Sequence, residues 1–268
     1  MPDTPVFDAL RDALREDVPV VLATVTAGRN LGAKLLARPT TRGGAPEVLG
    51  TLGDPDLDRV VARDALGELD AGLTSVRHYG EHGEAREDTV SVFIESFSPP
   101  PRMVIFGAVD FTAALARVAK VLGYYVVVCD ARPVFATVQR FPMADEVVND
   151  WPDRYLAKVG ERLGAHDAVC VLTHDAKFDV PAIVGALATE VGYLGAMGSR
   201  RTHARRVERL QEVGVTEAQL ERVMAPIGLD IGARTPEETA ISICAEIIAA
   251  RTGRDARSLR DAAGPIHA

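Results

Sequence analysis

Hydrophobic and polar positions follow one pattern before residue 98 and another after residue 102. In the first stretch, apolar positions at helical spacing predict an amphipathic helix over about Phe7–Arg15. The β-branched run Pro19–Val25 predicts a buried strand, with Gly32–Ala37 as its partner and a turn at Thr41–Gly44. Gly50-Thr51-Leu52-Gly53 precedes a helix over about Pro55–Leu69, and the alternating Thr89–Glu95 reads as another strand. Glu81–Asp88 reads as a charged loop. Residues 1–98 are thus expected to form a small α+β domain, and the Pro99-Pro100-Pro101-Arg102 segment a stiff connector (99–102), since consecutive prolines continue neither a helix nor a central strand.

From residue 103 to 268 short apolar runs alternate with helical segments, which predicts a parallel sheet. Strands are expected at Met103–Phe106, Tyr124–Cys129, Glu146–Val148, Ala168–Thr173 and Tyr193–Met197. Helices are expected over Phe111–Leu122, ended by Gly123, over Arg200–Glu212, and from the capping box Thr235-Pro236-Glu237-Glu238 to about Arg251. The fold class is α/β, a Rossmann-like doubly wound parallel sheet preceded by the smaller α+β domain.

Composition narrows the function classes. With 47% hydrophobic residues in a chain of 268, a sizeable core can be buried. The formal net charge of −8 argues against nucleic acid or an anionic membrane as a general partner. No apolar run approaches the ~20 residues of a membrane span, and the first residues lack a basic start before an apolar stretch, so a cytoplasmic location is expected. The three cysteines, Cys129, Cys170 and Cys244, lie far apart in apolar runs and read as buried, inert thiols, with no metal site implied.

Doubly wound folds bind ligands beyond the carboxyl ends of their strands, so the candidate chemistry is sought there. After the first strand, Gly107-Ala108-Val109-Asp110-Phe111-Thr112 keeps only the first glycine of a dinucleotide fingerprint. Val109 stands where a missing side chain would admit a pyrophosphate, and Asp110 is placed to cap the helix and to repel a phosphate. Weakened dinucleotide binding is expected. Asp130 closes the second strand, 23 residues after Gly107, and reads either as a ribose acceptor or as a turn residue before Arg132-Pro133. Thr173-His174-Asp175 follows the fourth strand and suits ligand contact or proton transfer, or a plain loop. Gly198-Ser199-Arg200-Arg201 joins a helix N-cap to two cations that could grip a phosphate; a solvated basic helix is the alternative, because Arg205, Arg206 and Arg209 continue the run. Gly228, Asp230 and Gly232 before the last helix suggest a shaped loop near the site or a structural turn.

Tyr193–Arg201, Ala225–Ala233 and Thr235–Glu238, together with Asp130–Pro133, Phe141-Pro142, Ala144–Glu146 and Thr173–Asp175 in the same order, resemble the C-terminal domain of the xanthine dehydrogenase accessory protein family of XdhC/CoxI type. The resemblance covers most of residues 103–252 and extends more weakly to Val21–Val25 and Gly32–Lys34. It implies a factor that binds molybdenum cofactor, protects it while a cysteine desulfurase installs its terminal sulfur, and delivers it to a molybdenum hydroxylase client of xanthine- or carbon-monoxide-dehydrogenase type. It also implies a homodimer and a non-catalytic, chaperone-like role. The cofactor is an anionic pterin phosphate, which assigns Ser199, Arg200 and Arg201 to phosphate, His174 and Asp175 to pterin or proton contacts, and Asp130 to a further polar contact. The chain departs from the family in two places: Leu49–Pro55, which corresponds to a cysteine-bearing glycine-rich segment, has no cysteine, and the first-strand turn is Gly107-Ala108-Val109-Asp110. Two other classes stay open, an NAD(P)-dependent oxidoreductase built on the fold and Asp130, and an interaction scaffold without a cofactor.

Overall fold

The computed structural model describes residues 4–40, 45–85 and 87–261; the turn expected at Thr41–Gly44 lies outside them. The chain divides into two compact units, Met1–Pro99 and Pro100–Ala268. In the first, α1 (Thr4–Arg15), β1 (Val20–Ala27), β2 (Lys34–Arg38), β3 (Glu47–Thr51), α2 (Pro55–Ala71), β4 (Ser75–Tyr79) and β5 (Val90–Phe97) build an antiparallel sheet of order β3-β2-β1-β5-β4. β1 is central because both of its faces are apolar. Val21, Ala23 and Val25 pack with Leu57, Val61 and Ala65 of α2, while Val20 and Leu22 pack with Val6 and Ala13 of α1. Asp54 caps α2 by accepting the N–H groups of Asp56 and Leu57, and Pro55 occupies the first turn, so the Leu49–Pro55 segment ends β3 and starts α2.

The second unit runs β6 (Arg102–Phe106), α3 (Asp110–Val121), β7 (Tyr125–Cys129), β8 (Glu146–Val148), α4 (Pro152–Val159), β9 (Ala168–Val171), α5 (Ala176–Leu187), β10 (Tyr193–Ala196), α6 (Arg200–Glu212), α7 (Glu217–Leu220), β11 (Val223–Met224) and α8 (Pro236–Thr252). Its six strands are parallel in the order β11-β10-β9-β6-β7-β8. The chain starts at β6, winds outward through β7 and β8, then returns to the other side of β6 at β9. The reversal opens a crevice between the carboxyl ends of β6 and β9, where such folds bind ligands. Both sheet faces are covered, which is why the strands read as continuous apolar runs. Met103, Ile105, Val126, Val128 and Cys170 pack on one face with Leu115 of α3 and Ile243 and Ile247 of α8. Val104, Phe106, Val127, Cys129 and Val169 pack on the other with Leu156 of α4, Ile183 of α5 and Leu210 of α6.

Arg102, read from sequence as part of the connector, opens β6 and gives its backbone N–H to Asp167. The structure adds β3, β4, α4, α5, α7 and β11 to the elements expected from sequence. The last helix carries the expected capping box, Thr235 receiving the N–H of Glu238 and Glu238 receiving that of Thr235, and ends at Gly253 in the left-handed region.

Candidate functional site

Each strand of the second unit delivers a loop to one edge, and these loops differ in what they leave available. After β6, Gly107 has φ +108, and a Cβ there would sit 2.7 Å from Thr173 Cγ2 and 3.2 Å from its backbone N. The loops after β6 and β9 therefore touch at the switch point, and only glycine permits it. The turn is closed by its own side chains. Buried Thr112 donates its hydroxyl to the Gly107 carbonyl and receives the Val109 N–H, and Ala108 N–H is held 2.8 Å from Asp130 Oδ2. Asp110 does not cap α3 as expected. It is the first helical residue, Val109 holds the N-cap position without a side-chain cap, and Thr112 Oγ1 receives the Val109 N–H.

Asp130 is committed on both oxygens. Oδ1 accepts from Arg132 N and Nε, each at 2.9 Å, and Oδ2 from Ala108 N and from Arg132 Nη2 at 2.7 Å, with the carboxylate side chain only 3% exposed. Burial opposes its ionisation, but the guanidinium and the two N–H groups outweigh that and hold the carboxyl below its ordinary value. An acid so engaged keeps no lone pair directed at a ribose hydroxyl. Its structural work is to tie the end of β7 to the turn after β6.

At the end of β9, Thr173 is buried and donates its hydroxyl to Asp179 Oδ1. Asp179 Oδ2 pairs with Arg206 Nη2 at 2.8 Å, and the same Nη2 reaches the Met197 carbonyl at 2.7 Å. Both ionic side chains are almost wholly buried, at 4% and 3% exposure. This relay joins the ends of β9 and β10 through α5 and α6, with Gly107 packed against Thr173 and Gly198 close to Arg206. Arg206 Nε and Nη1 and His203 Nδ1 are buried without a hydrogen-bond partner among the described residues. Burial, with Arg206 beside it, lowers the His203 pKa and favours the neutral ring. Nothing in the sequence distinguished Arg206 from the arginines around it except its i, i+4 spacing with Leu210, the other fully buried position of α6.

His174 and Asp175 are exposed at the start of α5. Asp175 is the N-cap, accepting from Lys177 N at 3.1 Å and pairing with Lys177 Nζ at 3.2 Å. After β10 the picture is the reverse of the β6 turn. Gly198 has φ +146, and a Cβ there would press on Thr202 at 3.1 Å. Ser199 caps α6, its Oγ accepting the Thr202 N–H at 3.1 Å, as the sequence predicted. Arg200 and Arg201 stand exposed at the first turn, where backbone N–H groups have no acceptor within the helix. Neither forms an ion pair among the described residues, nor do Arg205 and Arg209 further along. Gly228 closes the edge on the far side. Its N–H reaches Glu246 Oε2 at 2.8 Å, a Cβ there would meet Ser242 Oγ at 2.5 Å, and neighbouring Ile227 N–H bonds the Ala196 carbonyl at 3.1 Å. Asp230 is exposed, Gly232 faces open space, and neither is hydrogen-bonded to the rest of the site among the described residues.

The three cysteines are buried, as expected, and burial raises every thiol, Cys129 and Cys244 to about 12. Among the described residues no group of His, Cys, Asp or Glu is placed to hold a metal ion, and no helix is long and apolar enough to cross a membrane.

Comparison with known proteins places this arrangement. Residues 103–247 match the family described as the XdhC Rossmann domain, and residues 13–80 the XdhC and CoxI family. Over 165 residues the chain is 34% identical to a probable xanthine dehydrogenase subunit of Bacillus subtilis, covering 62% of this chain and 47% of that protein. It is 28% identical over 159 residues to the molybdenum cofactor insertion chaperone PaoD of Escherichia coli, covering 59% of this chain and 43% of that one. The chain thus spans about half the length of the curated relatives it matches. A crystal structure described as a xanthine dehydrogenase from Bacillus halodurans shares the fold, with a TM-score of 0.55 and 23% identity over 94% of this chain and 97% of that one. The chain belongs to the XdhC and CoxI family, with an XdhC Rossmann domain at residues 103–247.

Proposed function

We propose that this protein is a maturation factor that binds molybdenum cofactor and hands it to a molybdenum hydroxylase of xanthine- or carbon-monoxide-dehydrogenase type. The observation that carries the reading is the β10–α6 turn, an open helix N-terminus with two unpaired arginines in a chain of net charge −8. The donor set suits the phosphate end of the cofactor. Gly198 lets the backbone approach, Ser199 fixes the first turn, and Arg200 and Arg201 supply bidentate cationic donors. When bound, the cofactor would supply the redox-active molybdenum that the client enzyme uses. The protein's own residues would bind and orient the phosphate and shield the pterin. His174 and the Gly228–Gly232 loop flank the edge as further contacts.

The buried, high-pKa cysteines are poor sulfur carriers. The family resemblance assigns the terminal sulfur to a cysteine desulfurase working with this protein, and the role to handover without turnover. The relative named as a molybdenum cofactor insertion chaperone supports the reading. An NAD(P)-dependent oxidoreductase is less favoured, since Asp130 has no oxygen left for a ribose. Titration of the purified protein with isolated molybdenum cofactor, followed by transfer to an apo-hydroxylase, tests the proposal. Saturable binding that weakens with salt, with activation of the client, is expected; activation of the client at the rate of free cofactor would overturn it.

A further inference from the structure

The last helix, α8, is apolar on both of its sides. Its inner face, with Ala240, Ile243, Cys244 and Ile247, packs into the core against α3 and the sheet. A helix that only covers a sheet carries polar residues on its other face. The outer face of α8 instead carries Ile241 at 53% and Ile248 at 39% exposure, with half-buried Ala245 between them. Glu238, Ile241, Ala245, Ile248 and Thr252 follow one another at alternating spacings of three and four, which sets them on one seam along the helix. The ends of the seam carry opposite charge. Glu237 and Glu238 stand in the first turn, Glu238 being engaged in the capping box, and Arg251 stands in the last turn with Arg254 just beyond it. Arg251 and Arg254 form no ion pair among the described residues, and Glu237 has a 3.7 Å pair with Arg117 in which both side chains stay more than half exposed, at 65% and 57%.

We propose that the α8 seam is the contact between two copies of this chain, packed as an antiparallel helix pair about a two-fold axis near Ala245. Charge complementarity selects both the occupant and its direction. An antiparallel second copy brings its last turn to the first turn of this helix, so Glu237 meets Arg251 of the partner subunit, and symmetry repeats the pair at the other end. A parallel pair would set Glu237 against its own copy and Arg251 against its own, and would align the two helix dipoles side by side. The same axis places Ile241 opposite Ile248 of the partner subunit, which takes both isoleucines out of water. Ala245 lies at the crossing, where a small side chain lets the two backbones approach. A face that is complementary to itself in shape and charge needs no second kind of protein to cover it. One helix of 17 residues, about 25 Å long, offers less than the ~1,200 Å² of a strong interface, so a weak dimer that forms with rising concentration is expected. The inference is independent of the cofactor reading, because none of Ser199, Arg200 and Arg201 lies on the seam.

Sedimentation equilibrium of the purified full chain, from low micromolar to near-millimolar loading, reads the association directly. A monomer–dimer equilibrium with a micromolar Kd is expected. Ile241→Glu changes an exposed position, so it should leave the melting temperature at dilute loading unchanged while keeping the protein monomeric throughout. Glu237→Arg sets two arginines together at each end of the pair and should weaken the dimer roughly tenfold; adding Arg251→Glu to it should restore the original Kd. A wild-type chain that stays monomeric at near-millimolar loading, or a dimer that persists in Ile241→Glu, would overturn the seam. A Kd that the added Arg251→Glu weakens further would overturn the antiparallel arrangement. Loss of cofactor transfer to an apo-hydroxylase in Ile241→Glu, with no change in mass between variant and wild type, would give this face to the client and overturn the second copy as its occupant.

Discussion

The β6–α3 and β10–α6 turns are built on the same plan, a parallel strand, a left-handed glycine and a helix N-terminus, yet they have opposite character. At the first, Thr112 and Asp130 take the N–H groups of Val109 and Ala108, and Asp110 puts a negative charge in the first turn of the helix. At the second, Ser199 satisfies one N–H and two arginines face solvent unpaired. A strand–glycine–helix frame is therefore not by itself an anion site. What decides is the charge placed in the first turn, Asp110 at one and Arg200 and Arg201 at the other, and whether the N–H groups leading into the helix are already taken.

The comparison can be broken at several points. The largest effect is expected where the β10 turn is supported from below. Asp179→Ala would leave Arg206 buried and unpaired, at a cost of about 3–5 kcal/mol in chemical denaturation, whereas Asp179→Leu combined with Arg206→Met should recover most of it. A loss under ~1 kcal/mol for the single change would mean that the pair does not support the turn. Next, Gly107→Ala forces a Cβ at φ +108 against Thr173, and should lower stability by roughly 1–3 kcal/mol. Ser199→Ala removes the α6 cap and should cost about 1 kcal/mol, while Asp110→Asn, which caps nothing, should change stability by less than about 0.5 kcal/mol. The smallest effect is a pH dependence. Asp130 has a depressed folded pKa, so its contribution is complete above its unfolded value, about 4, and is lost as pH falls through the folded pKa. The stability gap between wild type and Asp130→Asn should hold from neutral pH to about 4 and then narrow. A gap that narrows between pH 7 and 5 would contradict the assignment.

The strands that build the second core were legible because both of their faces are buried, and a run such as Tyr124–Cys129 shows this without a partner in view. β3 and β4 were not, because they are sheet edges whose residues are mostly exposed, and they lack the alternation that marks a half-buried strand. α5 escaped for a different reason. Pro181 and Gly185 interrupt its helical pattern, and Gly185 is the place where α4 comes close, a Cβ there meeting Leu156 at 2.8 Å. At the site, Ser199 and the Thr235 box were readable because a cap is a local contact. The partnership of Asp179 with Arg206, 27 residues apart, was not, nor was the closure of Asp130, which needs Ala108 from another strand end. Polar groups whose role is fixed by tertiary pairing look in sequence like free ones.

The most direct test of the central claim is the affinity of the Arg200→Ala, Arg201→Ala double variant for isolated molybdenum cofactor, measured beside wild type at low and high salt. The expected result is a loss of about tenfold or more at low salt, a shallower salt dependence, and unchanged unfolding, because neither arginine holds the fold. Equal affinity and equal salt dependence in the two proteins would show that the open turn is not where the phosphate binds.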